Sequence, residues 1–285
     1  MLGRRGTLPF LVGPPLLWLA ALFVAPLFLI VLFSLRPESG MVAPGRPWDP
    51  SLAQYIQVLK TPSFLRLLGT STLIALGVAA MATLLAYPLA YFLAFRARAR
   101  ATLYLTLLLV PFAASYLLRI MSWKLMLGPA GVINSLLSSA GLISEPLDLI
   151  FTRPAVVITL VYVWIPFAAL PILAAMQRIQ PSQLEAAADL GAGPWARLWR
   201  VTVPLSLPGA LAAFFMVFIP TVGEYVTPTL IGGTGGIMYG NLISDFFGRG
   251  GNWPFGAALA MLMLLLTVVL VVAAARAVNL RRLIS

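Results

Sequence analysis

A carboxylate inside an apolar stretch is costly to keep and must meet a partner, so Glu224 is the first residue whose chemistry the sequence points to. It stands about 17 residues into the apolar run 207–231, roughly 25 Å along a helix. It lies between Pro220 and Pro228, where that helix is expected to break. An acid there can draw a cation out of water. Tyr225, Tyr239, Asn241, Asp245 and Trp123 are the side chains expected around it, and aromatic faces beside a carboxylate suit a protonated amine through cation–π contact. The competing reading is an ion pair from Glu224 to Arg119 or Lys124 that locks a gate. The two are compatible if a cation displaces the pair. Tyr116, Trp123, Trp164 and Trp253 equally suit an aromatic belt at a membrane interface.

Other chemistries lack their residues. The chain has no cysteine and no histidine, which removes thiolate metal sites and the commonest metal ligand and proton shuttle. No metal ligand set and no catalytic residue is expected, and no acid pair within a span supports an intramembrane enzyme. No Gly-x-x-x-x-Gly-Lys-Ser/Thr stands anywhere, since no glycine precedes Lys60 or Lys124. A phosphate-cradling loop is therefore not expected in this chain. The run Gly232–Gly236 follows no strand and reads as a flexible loop.

The elements that must position these residues are helices in a bilayer. Of 285 residues 61% are hydrophobic and 9% charged, with a mean hydropathy of +0.98; a soluble domain carries about 25% charged residues. A crossing helix needs about 20 apolar residues. Six spans are expected, near 11–35, 67–95, 102–127, 155–176, 207–231 and 255–275, in one transmembrane domain covering 1–285. Arg4 and Arg5 precede an apolar run too long for a signal-peptide core, so the first span is expected to be retained. The net charge of +11 reads as a topology signal rather than as nucleic-acid binding, because the basic residues sit at the ends of apolar runs. Placing both termini in the cytoplasm puts Arg4, Arg5, Arg96, Arg98, Arg100, Arg178, Arg197, Arg200, Arg276, Arg281 and Arg282 inside, the larger share of the 19 basic residues. Glu38 and five further acids then fall outside or near it, and Glu185 and Asp189 inside.

Between the fourth and fifth spans lies the segment 177–206. Ser182 with Glu185 three residues on forms an expected capping box. Ala186–Ala188 favour helix, Gly191 is fit to end it in the left-handed conformation, and Pro194 suits the first position of a second short helix ending before Pro204. A connector needs no such rigidity, whereas a surface that transmits force does.

This segment resembles the EAA loop of ABC importer permeases. Glu185-Ala186-Ala187, Gly191 and Val201-Thr202-Val203-Pro204 keep that motif's spacing, with valine at its isoleucine and leucine positions. Gly223–Pro228, Gly232-Gly233, Tyr239-Gly240-Asn241, Asn252–Gly256, Leu118–Trp123 and Gly131–Asn134 further resemble the spermidine/putrescine-type permeases. The resemblance implies an all-α, six-span, type I importer permease fold in a bacterial inner membrane. It implies that Glu185, Ala186, Ala187, Asp189, Gly191 and Pro204 couple to an ATPase. It also implies two ATP-binding subunits holding the ATP and magnesium, a second permease subunit of different sequence, and a periplasmic or extracellular solute-binding protein. The implied cargo is a polyamine or related cation. The alternatives are another small solute, or a secondary transporter or channel without an ATPase.

Overall fold

The computed structural model describes residues 8–37, 49–97 and 100–278. Arg4, Arg5, Glu38, Arg46, Arg98, Arg281, Arg282 and both termini lie outside them. The described residues form helices and no strand, and six segments are long and apolar enough to cross a membrane. The chain divides into two compact units, Met1–Arg66 with Leu242–Leu266, and Leu67–Asn241 with Thr267–Ser285.

In the first unit, α1 (8–34) passes through a π-turn at Ala20–Val24. The amide of Ala25 closes that turn onto the Ala20 carbonyl. Pro26 follows at once. Proline offers no amide and its ring crowds the carbonyl four residues back, so a widened turn just before it lets the helix continue. α2 (Ala53–Lys60) is tied to the end of α1 by Tyr55 Oη donating to Ser34 Oγ at 2.7 Å. Gln54 Nε2 donates to the carbonyls of Arg36 and Pro37 at 3.3 and 3.1 Å. The Phe255 ring lies 5.5 Å from that of Phe64 and 4.7 Å from that of Phe246.

In the second unit lie α3 (Pro62–Arg96, from its sixth residue onward), α4 (Ala101–Ala113), α5 (Tyr116–Leu127), α6 (Val132–Ser139), α7 (Arg153–Met176), α8 (Pro181–Asp189) and α9 (Pro194–Val222). A helical turn α10 (226–232) follows in this unit, and α11 (Tyr239–Phe247) and α12 (Trp253–Val278) each have residues in both units. The expected third span 102–127 is not one helix. Ala114 is extended (ψ 153°), three residues past Pro111, and the apolar crossing segment is Tyr116–Ser139. Asn134 fastens the return of that segment: its Nδ2 donates to the carbonyls of Gly128 and Leu147, and its Oδ1 accepts from the Leu147 amide at 2.9 Å.

The fifth span also departs from 207–231. It begins at Pro194 and ends at Val222. α7 and α9 pack with their backbones in close approach at Gly209, where a β-carbon would come within 2.4 Å of Ala175 Cβ and 2.5 Å of the Pro171 carbonyl. Gly209→Ala is therefore expected to destabilise the chain by about 1–3 kcal/mol through overpacking, read as a lowered thermal midpoint in detergent. Gly77→Ala, at a position with nothing within 4 Å of the new carbon, should leave that midpoint unchanged.

Candidate functional site

The helix of the fifth span stops between the two prolines, where a break is expected. Gly223 caps α9, and the chain restarts as α10. Restarting a helix exposes amides with no partner above them. Glu224 answers that need, its Oε1 accepting from the amides of Val226 at 2.8 Å and Thr227 at 3.1 Å. Its Oε2 accepts from Tyr116 Oη at 2.9 Å, across 108 residues of sequence. Tyr116 Oη also lies 2.9 Å from Thr227 Oγ1. A phenol has one proton, so with that proton on Glu224 the buried Thr227 hydroxyl is the donor to Tyr116. The result is a relay of hydrogen bonds, Thr227 to Tyr116 to Glu224, joining α5 to α10. A carboxylate beside free amides at a helix start is also favoured by the helix dipole.

Glu224 makes these three bonds, and neither Arg119 nor Lys124 supplies any of them. Arg119 instead lies over the Phe112 ring at 4.4 Å. Lys124 lies 5.8 Å from the Phe151 ring centre. Of the two readings of Glu224, the ion-pair lock is not what these bonds form; a hydroxyl relay stands in its place. Tyr116, which also suits an interface aromatic, is the side chain that reaches the carboxylate.

The other expected neighbours take different places. Asn241 fastens the break: its Nδ2 donates to the Tyr225 carbonyl at 2.8 Å and to Thr229 Oγ1 at 2.7 Å, and its Oδ1 accepts from the Met238 amide at 2.9 Å. The Tyr225 side chain is 48% exposed. Tyr239 is fully buried. Its amide donates to Ser71 Oγ at 2.8 Å, its hydroxyl has no partner, and burial pushes that hydroxyl above its usual range. It serves as packing rather than as an open aromatic face. Trp123 packs beside Tyr116 and Val226 on a cluster of Ile120, Leu127, Ala155 and Ile231, with its ring 5.4 Å from that of Tyr162. Asp245 is exposed and lines a depression of the first unit with Leu242, Phe246, Arg249 and Gly250. The Gly232–Gly236 run is a closed turn rather than a loose loop, with the Gly236 amide on the Gly232 carbonyl at 2.8 Å and Arg153 Nε on the Gly235 carbonyl at 2.8 Å.

The loop between the fourth and fifth spans departs from its expected form where its first helix starts and where its second helix meets the span. α8 starts at Pro181, and the box is Gln180 with Gln183, whose Oε1 accepts the Gln180 amide at 3.1 Å. Glu185 therefore stands in the second turn, not the first. Proline at the first helical position fixes this start one residue ahead of Ser182. The C-terminal end follows expectation: Gly191 has φ +81°, the Ala192 amide donates to Ala187 and the Gly191 amide to Ala188 at 3.0 and 2.8 Å, a Schellman closure. The second helix does not end before Pro204. A π-turn at Leu198–Thr202, closed by the Val203 amide on Leu198, carries it past Pro204 into the fifth span. α8 buries none of its residues; Glu185, Ala186 and Asp189 are exposed, Ala187 half-buried, and Leu190 is 89% exposed. A capped, outward-facing helix thus abuts a rigid extension of a membrane span.

Comparison with known proteins places this arrangement. The spermidine/putrescine transport system permease protein PotB of Haemophilus influenzae is 36% identical over 193 residues, 68% of this chain and 65% of that protein. This chain thus spans just under two thirds of that relative's length. The protein of the same name from Escherichia coli is 37% identical over 193 residues, 66% of this chain and 70% of that one. In fold, a chain from the crystal structure of a bacterial alginate ABC transporter, solved in complex with alginate pentasaccharide-bound periplasmic protein, superposes with a TM-score of 0.69. It covers 96% of this chain and 94% of that one at 17% identity. The family of binding-protein-dependent transport system inner membrane components matches residues 7–284, and the chain belongs to it, as a permease subunit of the ABC transporter type.

Proposed function

We propose that this permease forms the translocation path of an ATP-driven importer for a polyamine or related organic cation, with both termini in the cytoplasm of a bacterium and the spans in its inner membrane. One observation carries the cargo assignment. The break in the fifth span holds a half-buried carboxylate whose Oε2 is bound only by a displaceable phenol. An ammonium group can replace the Tyr116 proton at Oε2 while Oε1 keeps its two amides, so cargo binds without unmaking the helix cap. The relatives named for spermidine and putrescine support the same chemistry.

The coupling step uses α8. Glu185, Ala186, Ala187, Asp189 and Gly191 present the surface that an ATP-binding subunit grips, and Pro204 lies on the stiff helix that relays the push. Two such subunits supply ATP and magnesium, a second permease of different sequence completes the path, and a solute-binding protein delivers cargo from outside. Driving the access equilibrium from 1:99 to 99:1 takes about 5.5 kcal/mol of differential binding, received by α8 and passed through the closed turn at Gly191 to the helix that starts at Pro194. The test is uptake into proteoliposomes holding the whole transporter and its solute-binding protein. Spermidine or putrescine should enter when ATP is present inside the ATPase compartment, and neutral and anionic solutes should not. Uptake of only neutral or anionic solutes would overturn the cargo assignment.

A further inference from the structure

Arg119 poses a question the coupling account leaves open. It lies in a membrane-crossing segment, where a charged side chain is expected to face a path or a partner rather than lipid. Its Nε and Nη1 are buried with no hydrogen-bond partner, and its guanidinium sits over Phe112 at 4.4 Å and 5.9 Å from the centre of the Tyr116 ring. Arginine donors buried without acceptors are costly, and here a ring face is what holds the charge. That ring belongs to a string of aromatics. Phe112 lies 6.0 Å from both Tyr162 and Phe167, and Tyr162 lies 5.4 Å from Trp123. All are half-buried. Phe112 stands four residues before Tyr116 in sequence, across the extended Ala114, and Arg119 lies within 5.9 Å of both ring centres.

We propose that Phe112 and Tyr162, with Trp123 beside them, form a cation–π seat for an alkylammonium group of the cargo, and that Arg119 is a tethered cation occupying this seat in the empty protein. The inference rests on the organic-cation reading above. A polyamine carries charges spaced along a flexible apolar chain, so one ammonium can take Glu224 while another takes the aromatic seat. Arriving cargo displaces Arg119, whose unpaired donors gain acceptors when it swings away. The resident charge lowers affinity for cargo in the empty state and so favours release.

The test is binding of radiolabelled spermidine to the intact transporter in nanodiscs without its solute-binding protein. Because Arg119 competes for the seat, Arg119→Gln should bind spermidine about tenfold more tightly than wild type. Arg119→Lys, which restores a tethered cation, should return toward wild-type affinity. Phe112→Leu in the otherwise unchanged chain should weaken binding by about threefold or more, and keeps the proposal testable if the arginine variant does not fold. Equal or weaker binding by a folded Arg119→Gln, or unchanged binding by Phe112→Leu, overturns it. Tight binding of an amine-bearing acid that Arg119→Gln abolishes also overturns it, because Arg119 would then be an anion's partner. Failure of the cargo reading looks different: the wild-type transporter with its solute-binding protein would import no polyamine at all.

Discussion

Glu224→Gln should lower cation uptake by more than tenfold while the protein still inserts and folds. The amide oxygen of glutamine can keep accepting from the Val226 and Thr227 amides, now 2.8 and 3.1 Å from Oε1, so the start of α10 stays capped. What is lost is the charge that attracts an ammonium, and a charge-assisted bond is about twice as strong as a neutral one. Glu224→Ala is the informative partner. It removes the charge and also strands two amides, each costing about 1–3 kcal/mol if left unsatisfied. The alanine variant should therefore lose both uptake and thermal stability, the glutamine variant uptake alone. Tyr116→Phe separates the gate from the cargo site. It leaves the carboxylate in place and frees Oε2, so it should bind cargo at least as well as wild type. Initial uptake rates and detergent melting curves on the three variants check these expectations together.

The second large effect is expected at Gly191. Its φ of +81° lies where an L-residue other than glycine costs roughly 1–2 kcal/mol, and a β-branched one more. No atom lies within 4 Å of the β-carbon position, so crowding within the chain cannot be the cause of any defect. Gly191→Val should unwind the Schellman closure and tilt α8, cutting transport about tenfold or more while ATP hydrolysis by the partner subunits continues without cargo. Glu185→Arg should uncouple in the same way by reversing an exposed charge on the gripped face. Membrane insertion should be normal in both. ATP turnover and uptake measured on the same preparations would read this as a fall in solute moved per ATP.

Much of this was legible in the residues. The spacing from Glu185 through Gly191 to Pro204 carried the family resemblance that the match over residues 7–284 bears out, and the apolar runs identified most of the helices long enough to cross a membrane. Pro220 and Pro228 bracketed the break at which Glu224 stands. The misreadings have local causes. Ser182 is the stronger N-cap by type, but Pro181 sets the helix start and leaves the cap to Gln180. Pro204 reads as a stop because an α-helix cannot hold it, yet the π-turn before it can, and such a turn leaves no mark in hydropathy. The run 102–127 is predominantly apolar, so hydropathy does not mark the extended Ala114 that divides it, three residues past Pro111. Tyr116 was ambiguous because its role depends on a partner 108 residues away, and a tyrosine near an apolar end looks the same whether it faces headgroups or a carboxylate. Asn241 gave its position through the Tyr239-Gly240-Asn241 resemblance but not its task of holding the Tyr225 carbonyl. Family membership sets aside the secondary-transporter alternative, because the matched family depends on a binding protein.

If α8 faces the cytoplasm and is held by an ATP-binding subunit, as proposed above, a thiol placed on it is reachable from that side and close to that partner. The chain has no cysteine, so Ala187→Cys introduces a single reactive site without background. In inner-membrane vesicles of known orientation, a membrane-impermeant maleimide should label this cysteine only when the cytoplasmic face is exposed. A short bifunctional cross-linker should join it to the ATP-binding subunit, more so with ATP bound. Labelling from the outer face, or no cross-link to any partner under either condition, would mean that α8 is not the surface that meets the ATP-binding subunit.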